Sequence, residues 1–204
     1  PLMQAVIADL ALDWEAALAL AMSCARAFDS EQAEDRAFAR IAVALAKYLS
    51  NKRAPGVIYE AMEALGGMGY IEETPMPMLY REAPLNSIWE GSGNVICLDI
   101  LRTLAKAPLA GEVLMNRLQR VAGADARYDA ALKTHLERWP AWPTEAEARW
   151  FTESLATLLA AAILIETAPH AVADGFVTAR IANLRGATAG AVSGLDVAAI
   201  IARI

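Results

Sequence analysis

A chain of 204 residues, 56% hydrophobic and 21% charged, has the apolar content for one large folded domain or two small ones and excludes a disordered chain. Its net charge of −6 is carried by one half. Residues 1–105 hold 14 acids and 8 bases and residues 106–204 hold ten of each, so neither half has the basic balance of a general nucleic-acid binder.

In chain order, residues 2–28 read as one long helix, with Leu2, Val6, Leu10, Trp14, Leu18 and Met22 at four-residue steps as its apolar stripe. Asp29 and Gln32 have the spacing of a capping box before a second helix over residues 31–65. Its core face is Phe38, Ile41, Ala42, Leu45, Tyr48 and Leu49, and Pro55 is expected to kink it or start a new helix. Lys52 and Arg53 at that kink could reach phosphates of a cofactor or DNA, but read first as solvated or salt-bridged. Gly66-Gly67 ends the helix. Residues 68–87, with Pro75, Pro77 and Pro84, read as a long loop of the kind that carries function. A third helix is predicted over Gly91 to Lys106, and further helices over residues 112–121, 124–139, 144–167 and 171–182. Trp139 to Pro143 is a rigid connector, residues 186–194 a small-residue, flexible tail, and residues 197–203 a terminal helix. No strand is predicted, so the fold class is all-α, with a soft boundary near Ala105–Leu109.

Cys24 and Cys97 lie among apolar neighbours and read as buried free thiols of a reducing compartment. There is no Cys-x-x-Cys pair, and His135 and His170 are far apart, so no metal site is expected. No signal peptide is expected. The most apolar run, Leu155 to Ile165, is shorter than the roughly 20 residues a membrane span needs. A cytoplasmic protein without membrane contact is expected.

The informative stretch is Ser87-Ile88-Trp89-Glu90-Gly91-Ser92-Gly93-Asn94. Glu90 follows two bulky apolar residues and precedes glycines that let backbone approach a ligand. The helix that follows directs its first N–H groups at the same place, which suits an anionic or polar ligand. Taken alone, Glu90 reads first as an acid at a helix N-terminus, favoured by the helix dipole.

IWEGSGN, preceded some twenty residues earlier by Gly66-Gly67-Met68-Gly69-Tyr70, resembles the C-terminal region of the flavin-dependent acyl-CoA dehydrogenase superfamily, with its GGxGY turn, loop and YEGT motif. The whole run LGGMGYIEETPMPMLYREAPLNSIWEGSGNV is similar to the bacterial AidB-type, alkylation-response branch. The resemblance is dense over about half the chain and thinner beyond Ala105. It implies an incomplete C-terminal four-helix bundle lacking its first helix (residues 1–107), then an extra helical domain of the AidB type (residues 108–204). The chain would be a fragment of an FAD oxidoreductase, inactive alone, whose parent is a homo-tetramer acting on acyl-CoA thioesters.

The same resemblance makes Glu90 the base that removes the α-proton while hydride passes to the flavin. Ile88, Trp89, Glu90, Gly91, Ser92, Gly93 and Asn94 would contact FAD, Ser92 standing where the family usually has Thr. Gly67 would contribute near the pyrophosphate. Glu63 stands where the family often has Gln and is unsuited to that contact. Arg102 matches an arginine that the AidB branch is thought to use on double-stranded DNA. It reads equally as a surface arginine near a helix C-terminus. A DNA-binding, damage-protective flavoprotein is therefore the alternative function. Arg117, Arg120, Arg127 and Arg138 could extend a basic stripe, but the interspersed acids favour a mixed, solvated face.

Overall fold

Leu2–Phe28 forms helix α1 and Ala33–Ala64 forms α2, and the two fold back on each other in this computed structural model, which describes residues 1–204. The face of α1 that turns inward is not the expected stripe. Leu2, Trp14, Leu18 and Met22 are all exposed, and the core side is Ala8, Leu12, Ala16, Leu20, Cys24 and Ala27. Both faces of α1 are apolar, and periodicity cannot say which is covered. The alanines decide it, because they let neighbouring helices approach closely. The expected capping box is absent too: Asp29 ends α1, and the Gln32 N–H donates to Ser30 Oγ instead.

The predicted face of α2, from Phe38 to Leu49, is buried. The helix continues through Pro55 without a break. Proline has no N–H, so the Asn51 carbonyl loses its helical partner. The Ser87 hydroxyl takes that place, donating to Asn51 O at 2.9 Å, and Asn51 Nδ2 donates to Asn86 O at 2.7 Å.

Residues 68–87, expected as a loop, are mostly helical: α3 is Gly67–Tyr70, α4 is Met76–Glu82, and a 3-10 turn covers Ala83–Ser87. Pro75, Pro77 and Pro84 all fall at or just inside helix starts, where no intrahelical N–H is needed. At Gly69 a Cβ would lie 2.1 Å from Met62 O, so the GGMGY turn packs its backbone directly on the end of α2.

The remaining helices are α5 (Gly93–Lys106), α6 (Pro108–Gln119), α7 (Ala126–Arg138), α8 (Ala148–Thr167), α9 (His170–Phe176, continuing as a π-helical turn over Val177–Ile181) and α10 (Val197–Ile201). There are no strands, only one bridge between Arg185 and Val192. Helix α8 is central and packs on α1, α2, α5 and α7. The stretch Glu145–Thr167 is long and apolar enough to cross a membrane by length and composition, and 67% of its most apolar window is buried in this core. One hydrophobic cluster runs from Ala8 to Ile200 and takes in residues on both sides of position 107.

The glycine-rich tail is ordered by charge. Asp9 is fully buried and accepts from Gly190 N at 2.9 Å, with Arg185 Nη2 at 3.3 Å and Arg180 Nη1 at 2.7 Å, the last without hydrogen-bond alignment. Asp13 pairs with Arg180 at 2.8 Å and with Arg53 at 3.0 Å. Glu15 holds Arg203 at 2.5 Å. Burial works against the Arg180 charge, and the two aspartates more than offset it, raising its pKa. Small residues in the tail thus allow close approach to α1 and do not make it a flexible end.

Candidate functional site

Three anchors from α2 fix the loop between the 3-10 turn and α5. Two are the Asn51 and Ser87 bonds. The third is Lys47, whose Nζ lies 2.5 Å from Trp89 O, 3.0 Å from Glu90 O and 3.2 Å from Gly91 O. Three successive carbonyls can converge on one ammonium only if the backbone curls. Glu90 takes φ 55°, a left-handed conformation that is unfavourable for a residue with a Cβ, and Gly91 takes φ 104°. A non-glycine residue held there by its surroundings is a feature concentrated at functional sites.

The curl leaves donors free. The N–H of Trp89 bonds back to Leu85 O, while Glu90 N–H makes no backbone hydrogen bond. At the start of α5 the first bond is Ile96 N–H to Ser92 O, and the Ser92 side chain caps nothing. The N–H groups of Gly93, Asn94 and Val95 therefore have no helical partner, and Gly93 and Asn94 line a groove of about 500 Å³. Ser92, Gly93, Asn94, Asn51, Lys52 and Arg149 line it. Lys52 and Arg149 make the groove positive, as does the helix N-terminus. Arg149 reaches Asn94 Oδ1 at 3.4 Å. A Cβ on Gly93 would meet Lys52 Cε at 2.8 Å. Behind Gly93, burial pushes the Tyr48 phenol up while the Arg149 guanidinium pulls it the other way.

Of the residues read from sequence, Ile88 to Asn94 form this one continuous loop and helix start. Glu90 lies exposed on it, and the two bulky apolar residues before it, Ile88 and Trp89, are 63% and 58% exposed and face outward here. Gly67 lies across the end of α2 with open space around it. Arg102 is on α5, its side chain 63% exposed and 3.8 Å from Asp99, which Arg40 already holds at 2.8 Å. Arg117 pairs with Asp35, Arg120 with Glu166, and Arg127 with Asp125 and Asp174. Arg138 stacks over Trp150 at 3.9 Å. Arg53 is salt-bridged and Lys52 exposed, as expected, and Lys52 also lines the groove.

Lys47, Asn51 and Arg149 were not among the sequence-derived candidates. Nothing in the local pattern marks them, since each acts on a segment at least 35 residues away. Lys47→Met keeps the stem and removes the cation. Amide exchange over residues 86–93 is then expected to quicken about tenfold, the scale of losing one partly exposed charged hydrogen-bond donor, while α8 amides stay protected. Unchanged exchange in the loop would show that Lys47 holds nothing.

With this geometry in place, known proteins provide the comparison. The family model for the acyl-CoA dehydrogenase C-terminal domain matches residues 1–105. AidB of Escherichia coli (strain K12) is 39% identical over 177 residues, 86% of this chain. The chain belongs to the acyl-CoA dehydrogenase family. Acyl-CoA dehydrogenase family member 11 of Caenorhabditis elegans is 28% identical over 142 residues, 67% of this chain. The chain spans about a third or less of these relatives, 32% of AidB and 23% of the nematode protein.

Solved structures are similar to this chain as well. The crystal structure of C. elegans ACDH-11 in complex with C11-CoA matches 79% of this chain and 32% of that one at a TM-score of 0.65 and 24% identity, a likeness of fold alone. The Bd2924 apo-form matches 76% of this chain and 31% of its own at a TM-score of 0.64 and 26% identity. Within the family match lie α1 to α4 and nearly all of α5, which includes the Lys47-held loop.

Proposed function

We propose that this chain is the C-terminal part of a longer FAD-dependent acyl-CoA dehydrogenase of the AidB type, in which Glu90 removes the α-proton of an acyl-CoA thioester. The observation that carries the reading is the loop itself. Glu90 is held in a left-handed conformation by Lys47, with its own N–H and the first N–H groups of α5 unengaged. The C11-CoA bound to the nematode relative favours a thioester as substrate class.

The groove suits a flavin. Its polar lining, two cations and free helix N–H groups are the donors that a cofactor rich in carbonyl and phosphate oxygens requires. Ile88 to Asn94 would hold it, with the Ser92 hydroxyl and the Gly93 to Val95 N–H groups as donors and Gly67 near the turn. When bound, FAD supplies the hydride acceptor. This chain supplies the base, Glu90, a backbone N–H able to polarise the thioester carbonyl, and Ile88 and Trp89 to exclude water once other parts of the protein cover them. The exposed stripe of α1, from Leu2 to Met22, is likewise a surface suited to a further helix of the bundle.

By itself the chain is expected to purify colourless and without dehydrogenase activity. The test is to give acyl-CoA thioesters, from short to long, to the longer protein loaded with FAD. Bleaching of the flavin absorbance by one of them is the expected result. No bleaching at any length overturns the reading.

A further inference from the structure

The family match ends at residue 105, yet one residue lining the flavin groove comes from beyond it. That residue is Arg149, in the first turn of α8. Its neighbours set its position. Thr144 and Glu147 form a capping box just before α8, with the Thr144 hydroxyl 3.0 Å from Glu147 Oε2. Ala148, Phe151 and Thr152 are buried in the core, and the exposed Trp150 ring carries the Arg138 guanidinium. The backbone is thus held on both sides of Arg149. Its own side chain is left at the groove, where Nη1 donates to Asn94 Oδ1 at 3.4 Å.

Helix stability does not explain an arginine here. The first turn is the positive end of the helix dipole, and a cation there is disfavoured. Ion pairing does not explain it either. Most lysines and arginines of the chain pair with a carboxylate, but Lys47, Lys52 and Arg149 do not, and all three stand at the Glu90 loop and its groove. Lys47 is occupied by the loop carbonyls. Lys52 and Arg149 are not so occupied, and no carboxylate lines the groove to offset them. The bond from Arg149 also fixes the Asn94 amide. Its Oδ1 is taken and its Nδ2 has no partner in the protein, which adds a donor beside the unengaged N–H groups of α5.

We infer that Arg149 is a cofactor-binding residue supplied by the helices beyond the family match, its guanidinium pairing with a phosphate of FAD while it orients Asn94. The inference rests on the flavin reading above and deepens it. A guanidinium suits a phosphate because its fork of N–H groups matches two phosphate oxygens at once. On this reading α8 is part of the cofactor site, and the segment after residue 105 is needed for full affinity.

The test is FAD affinity, measured by titrating the flavin-free longer protein and following the quenching of flavin fluorescence at low and high salt. Arg149→Met is expected to weaken FAD binding about tenfold at low salt, the scale of one partly exposed charge-assisted hydrogen bond. The gap between parent and variant should narrow at high salt, where screening weakens the lost contact. Arg149→Lys returns the charge without the fork and should recover part of the affinity. Because the Arg149 side chain is exposed and makes no ion pair, Arg149→Met should leave the melting temperature of the 204-residue chain unchanged. Equal affinity of parent and Arg149→Met overturns the inference. So does a loss that is the same at both salt concentrations and is not recovered by lysine, or one accompanied by a lower melting temperature, since either makes Arg149 a packing residue. A parent protein that takes up no FAD is a different failure: it overturns the flavin reading itself, and the inference with it.

Discussion

Glu90→Gln in the longer, flavin-loaded protein is expected to lower the rate of bleaching by acyl-CoA by about 10²–10⁴-fold, the usual scale for a positioned general base. Glutamine keeps the shape and the apolar stem but cannot accept the proton. The backbone contributions remain, because Lys47 binds the carbonyls of Trp89, Glu90 and Gly91 and not the side chain. Thioester binding, measured as the shift of the flavin spectrum at equilibrium, should therefore change far less than the rate. A rate within tenfold of the parent's would mean that another group takes the proton. A comparable loss in binding would instead make Glu90 a binding residue.

Asp9→Ala in the 204-residue chain costs about 3–5 kcal/mol, the range for removing one partner of a buried ion pair. For a chain of this size that is a fall in melting temperature on the order of 10 °C. The cost is large because what remains is worse than what is lost. The Arg180 side chain is 7% exposed and would face Asp13 alone, and Gly190 N–H would lose its acceptor. Asp9→Asn, which still accepts hydrogen bonds, should cost less. Urea denaturation of the three proteins measures this. A loss below 1 kcal/mol for Asp9→Ala would show that solvent replaces the carboxylate easily and that the tail does not depend on it.

The long helices were legible because they have a repeating apolar pattern, and most have a glycine or proline near one end. Direction was less legible. Helix α1 is apolar on two sides, and the four-residue stripe that pattern reading selects is the uncovered one. The prolines of residues 75–84 were misleading, since proline breaks a helix interior yet suits a helix start. The tail was misread for a related reason: the property that makes glycine flexible in a free chain also lets backbone reach a buried carboxylate. As for the site, the loop residues were legible as one motif because they are contiguous. The groups that hold the loop were not, because Lys47 and Asn51 look like ordinary polar positions on a long helix and their partners arrive from the other side of a turn.

Pro55 gives the loop a mechanical property. By withholding an N–H it leaves a carbonyl on α2 vacant, and Ser87 occupies that vacancy one turn beyond the point where Lys47 grips the next segment. Two fixed points on one rigid rod leave the carboxylate-bearing segment without a hinge of its own. Movement of the backbone around Glu90 is then tied to α2, so that helix and loop shift together while the carboxylate turns only by its own side-chain rotation.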